Sequence, residues 1–168
     1  KDMPEDWFAL PQGEEMTNGL CAAIGAFACS RAMDRLAFEE AAWIAQEMLA
    51  HASGLVGLYR QTLAMEWMFC ELVGQNRREV VEELDSRDLQ KYCRASAFNP
   101  AVHRFGYAYE LLYRGDEAAA EKRLEAFEKT AAVYPYEADI QGERELLACA
   151  KAAYERRRGA TRSHDGDS

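Results

Sequence analysis

An all-α fold of about seven helices, paired into antiparallel hairpins within one domain, follows from three observations. Apolar residues recur at helical spacing over almost everything after Thr17. Capping residues and helix breakers stand where that periodicity starts and stops. The breaks are short, so consecutive helices must fold back on each other. At 168 residues and 19.0 kDa the chain suits a single domain able to bury a core.

The first stretch, "KDMPEDWFALP", sets a Trp-Phe pair between Pro4 and Pro11. Residues 1–16 therefore read as an extended arm fastened onto the rest through Trp7 and Phe8. A first helix is expected from about Asn18 to Asp34 and a second from about Phe38 to His51. The run from Leu55 to Val73 gives a third, broken by Gly74. Residues 76–97 split into two short helices, because Asp85-Ser86 supplies a fresh cap.

The clearest hairpin starts at Asn99, a capping residue followed by Pro100 in the position where a missing N–H costs nothing. Val102, Phe105, Tyr109 and Leu112 recur along its first helix. Gly115 ends that helix and Asp116 caps the next. There Ala120, Leu124, Phe127 and Ala131 form one stripe, and Pro135 stops it. A closing helix runs from about Ala138 to Arg158, with Ile140, Leu147, Ala150 and Tyr154 facing inward. The domain thus spans 17–158, and 159–168 reads as a polar frayed tail.

A net charge of −9 opposes binding to phosphate backbones, which excludes nucleic acid as the expected partner. Arg156, Arg157 and Arg158 fit instead the last turn of the closing helix, where cations favour the dipole. Cys21, Cys29, Cys70, Cys93 and Cys149 are odd in number and form no CxxC pair. They suit reduced thiols, and a cytoplasmic location is expected. No signal-peptide pattern is found. Arg60, Glu66 and Glu71 interrupt the run from Leu55 to Val73, so it reads as a helix buried in protein and not as a membrane insertion.

The usual catalytic arrangements are missing. There is no HExxH, and His51, His103 and His164 fall in separate elements. No residue in the sequence is placed to activate a cysteine. The acidic runs read as solvated helix faces, and no glycine-rich phosphate loop exists. No enzyme activity, cofactor or metal site is expected of this chain. The rival reading is a small metal-dependent hydrolase using the acidic clusters.

"YELLYRGDEAAAEKRLEAF" and "MDRLAFEEAAWIAQEML" resemble the tetratricopeptide repeat. Ala108, Leu111, the Gly115-Asp116 turn and Ala120 match its pattern, as do Phe38, Ala41 and Leu49. Phe127 stands where the repeat has a small residue, Pro135 comes one turn late, and Leu36 replaces the turn glycine. The middle hairpin fits no register. The resemblance implies a stack of hairpins with a concave face lined by first helices. Val102, Phe105, Tyr109, Leu112 and Tyr113 would look into it, as a groove for a protein or peptide partner.

Across nearly its full length, through "KDMPEDWFALP", "GLVGLYRQTLAMEWMFCELVG" and "YPYEADIQGERELL", the chain also resembles the C-terminal region of some bacterial site-2-protease-like zinc metallopeptidases. That resemblance implies a non-catalytic regulatory or interaction domain, tethered to a membrane through an upstream part that holds the zinc. The alternative is a free-standing tetratricopeptide-like scaffold or adaptor.

Overall fold

Eight helices and no strand make up residues 11–51 and 57–166, which the computed structural model describes. They are α1 (Pro11–Asp34), α2 (Phe38–His51), α3 (Gly57–Cys70), α4 (Arg78–Leu84), α5 (Arg87–Ala95), α6 (Pro100–Ala108), α7 (Glu117–Val133) and α8 (Glu137–Asp165). Two of them do not end as α-helix. α3 widens into a π turn at Glu71–Gln75, and α6 into another at Tyr109–Tyr113.

The caps lie where the sequence places them. Ser86 Oγ accepts from the Leu89 N–H at 3.2 Å, Asn99 Oδ1 from Ala101 at 3.0 Å, and Asp116 Oδ1 from Ala119 at 2.9 Å. Each satisfies an N–H that a helix start leaves without a partner. Gly115 takes φ +66°, the left-handed conformation that glycine adopts without steric cost. Leu36, in the matching position after α1, takes φ 58°.

Three boundaries differ from expectation. Pro11 opens α1, so residues 11–16 are helical and not part of an extended arm; the docking of Trp7 and Phe8 lies outside the described residues. Gly74 does not end α3. Its backbone lies against α2, where an added Cβ would meet the Phe38 Cβ at 3.1 Å, and Asn76 at φ 56° makes the break. At the C-terminal end α8 runs on to Asp165, because "GATRSHD" contains no residue that forces a stop. Arg156–Arg158 therefore lie inside the helix. Arg158 bonds Glu117 at 2.7 Å and Arg157 reaches the Val73 carbonyl at 3.1 Å, tying α8 to α7 and to the end of α3.

The core runs along α3 and α6. Leu63 through Val73 are all buried, and so are Val102 through Ala108. Two charged residues sit among them. Arg104 on α6 is 2% exposed; it donates to Glu66 of α3 at 2.8 Å and to Glu143 of α8 at 2.7 Å. Its guanidinium also lies 4.5 Å over the Phe69 ring. Burial pushes the Glu66 carboxyl up and Arg104 pulls it back. Burial likewise opposes the Arg104 charge, and Glu143 and Glu66 more than offset it. Three helices are thereby locked at one charged junction.

Candidate functional site

The capped starts of α5 and α6 set these two helices beside a cleft of about 480 Å3, which α7 completes. Its floor is apolar: Leu89, Val102 and Phe105 are buried there. Tyr109 forms a half-buried wall. Its ring lies 6.0 Å from Phe105, and its hydroxyl donates to Asp85 Oδ2 at 3.1 Å. Burial, then the Asp85 carboxylate, pushes the Tyr109 hydroxyl up to about 12.

The rim is basic. Arg94 of α5 and Arg123 of α7 both border the cleft, and among the described residues neither pairs with a carboxylate. Arg123 can lie flat against α6 because residue 106 is glycine. A Cβ there would come within 3.0 Å of its Cδ and Nε. Arg114, also at the rim, pairs with Glu110 at 3.3 Å.

The five residues expected to share a groove are divided. Val102 and Phe105 lie on the cleft floor and Tyr109 on its wall. Leu112 is buried in the π turn and borders a second concavity instead. Tyr113 packs with its ring 5.2 Å from that of Tyr109, tilted by 43°, but turns to the same second concavity, with the Arg78 guanidinium 4.7 Å over its ring. Three of the five are core residues, so they form no continuous open face.

Nothing local in the sequence marks Arg94, Arg123 and Asp85 as contributors. Arg123 sits in a run of charges that reads as solvated helix surface, and Asp85 reads as a cap. Only the packing of α5 and α7 around α6 brings them together.

Two reactive groups border the same cleft. Cys93 is half-buried and its thiol is pushed up by burial, which Arg123 and Arg94 oppose only in part. The thiolate is thus disfavoured. His103 is buried, its Nε2 is 2.7 Å from the Ala97 carbonyl, and its Nδ1 has no partner. Cys29 and Cys70 are buried and also pushed up, Cys29 to about 12. Among the described residues no group of three or more His, Cys, Asp or Glu is placed to hold a metal ion. None of the described helices is long and apolar enough to cross a membrane.

No protein-family model, curated protein or solved structure matches this chain.

Proposed function

We propose that this chain is a non-catalytic helical interaction module whose α5–α7 cleft takes a peptide segment with an apolar or aromatic side chain beside an acidic one. The observation that carries the reading is an apolar floor of Leu89, Val102 and Phe105 under two unpaired arginines, in a chain of net charge −9. A buried apolar anchor supplies affinity. Opposite charge at the rim selects the partner and speeds encounter. The raised Cys93 thiol favours binding over nucleophilic chemistry at this place.

Fluorescence anisotropy with labelled peptides pairing Asp or Glu with Phe or Leu tests it. Binding should weaken at least tenfold in Arg123→Glu, whose exposed side chain can change without unfolding the core. An absence of binding by all such peptides at millimolar concentration, or no effect of R94E and R123E, would overturn the reading.

Two contexts suit such a module. In the first, supported by the near-full-length resemblance, it is a regulatory or docking domain of a site-2-protease-like membrane zinc metallopeptidase. The reading frame that encodes it decides the matter. Upstream hydrophobic spans of about 20 residues, one bearing HExxH, support this context; an initiator Met directly before Lys1 overturns it in favour of a free-standing tetratricopeptide-like adaptor. The packing of α6 against both α7 and α8 suits either context.

A further inference from the structure

Beyond Tyr113, at the far end of the aromatic row, lies a second concavity of about 500 Å3 with a different chemistry. Five guanidinium groups border it, from Arg78, Arg114, Arg157, Arg158 and Arg162, and among the described residues no carboxylate does. They converge from three separate stretches: the start of α4, the residue after the α6 π turn, and the last third of α8.

Local partners account for only part of this charge. Arg78 donates to the Leu112 carbonyl at 3.2 Å and Arg157 to that of Val73 at 3.1 Å. Those two carbonyls belong to the two π turns, so both arginines serve widened helix ends. Arg114 pairs with Glu110 at 3.3 Å, and Arg158 with Glu117 at 2.7 Å. Among the described residues Arg162 pairs with nothing. Five cations therefore meet two carboxylates among the described residues, within a chain of net charge −9.

Arg157 is where the imbalance is greatest. It is half-buried, and its Nη1 is buried with no acceptor. Burial, then the neighbouring Arg156, pushes its guanidinium down. A cation held in that way gains from an anion brought to it.

We infer that this concavity binds a phosphate-bearing anion, held by Arg157 and Arg162 with Arg78, Arg114 and Arg158 around it. Planar guanidinium forks match the oxygens of a phosphate, each fork taking two. A phosphate presents enough oxygens for forks arriving from three directions, which a carboxylate with two oxygens does not. A concavity of about 500 Å3 also leaves room for a second phosphate group. The inference is independent of the peptide cleft, since Arg114 is the sole residue that borders both concavities.

Isothermal titration of the whole chain with pyrophosphate, orthophosphate and sulfate tests it, alongside co-sedimentation with vesicles. The vesicles are phosphatidylcholine with and without phosphatidylinositol phosphate. Pyrophosphate should bind more tightly than orthophosphate and sulfate, and Arg162→Glu should weaken it at least tenfold. Co-sedimentation confined to the doped vesicles and lost in R162E would assign the phosphate to a lipid headgroup; titration without co-sedimentation would assign it to a soluble ligand. Arg157→Gln should weaken binding too. It also breaks the bond to Val73, so R162E, which among the described residues breaks no hydrogen bond or ion pair, keeps the test valid if R157Q unfolds. Arg60→Glu, an equal change of charge on exposed α3 surface, should leave binding as it is. The inference is overturned if neither pyrophosphate nor the doped vesicles bind, or if R60E weakens binding as much as R162E.

Discussion

The turn between α1 and α2 puts Leu36 at φ 58°, and the turn between α6 and α7 puts Gly115 at φ 66°. The two hairpins are closed by the same backbone conformation, reached by different residues. Their surroundings differ as well. α6 is enclosed by α3, α7 and α8, whereas α1 leaves Leu20, Ile24 and Phe27 exposed on one face. A leucine in the left-handed region carries a cost of about 1–2 kcal/mol that glycine avoids. The strained turn belongs to the hairpin whose first helix leaves an apolar face exposed, and the unstrained one to the hairpin whose first helix is enclosed.

The strongest way to break this contrast is to remove a charge from each hairpin. Arg104→Ala should cost about 3–5 kcal/mol in urea unfolding, because it strands Glu66 and Glu143 at the junction. Arg35→Ala, which removes the exposed 3.0 Å pair with Glu40, should cost less than about 1 kcal/mol. Equal losses would mean that the two hairpins carry the core alike.

Exchanging the turn residues gives a smaller effect with opposite signs. Gly115→Leu should destabilise by about 1–2 kcal/mol through the backbone alone, since an added Cβ meets nothing within 4 Å. Leu36→Gly should gain up to about 1 kcal/mol, less whatever contact the half-exposed side chain makes. Thermal denaturation of the two variants measures both, and loss of stability in L36G would show that its packing outweighs the strain.

The subtlest difference is alkaline. The first hairpin, through His51, holds no tyrosine, while the third carries Tyr109 with its hydroxyl raised from 10.0 to about 12. The folded state keeps that proton where the unfolded chain loses it. The stabilisation is therefore complete below pH 10.0 and disappears as pH rises through about 12. Asp85→Asn should lower the Tyr109 titration in tyrosinate absorbance and shrink the alkaline loss of stability. An unshifted titration would remove Asp85 as a cause.

Helices and caps were legible because their causes lie within a few residues. Asn99, Ser86 and Asp116 each bond an N–H two or three positions on, and apolar spacing marks the buried faces. The junction at Arg104 was not legible. In "VHRFGYAYELL" it resembles any polar interruption, and its partners stand 38 and 39 residues away in sequence. The groove was half legible. Val102, Phe105 and Tyr109 do meet in one cleft, but Leu112 and Tyr113, at the end of the π turn, border another concavity. Arg94 and Arg123 acquire meaning only from the helices that pack around α6. Local chemistry is written in neighbouring residues, and a cleft is written in none of them.

The two π turns bear on how this chain can be aligned with itself. The bond closing α1 runs five residues back, from Ala37 to Ala32, whereas those closing α3 and α6 run six, from Arg77 to Glu71 and from Asp116 to Glu110. Each widened end holds one more residue than an α-helical end would, and one residue is about 100° of rotation. A repeat profile of fixed length slides out of phase at both places. Any residue-by-residue comparison of the α3 and α6 ends with an ordinary α-helical end therefore requires a one-position gap within Glu71–Gln75 and another within Tyr109–Tyr113.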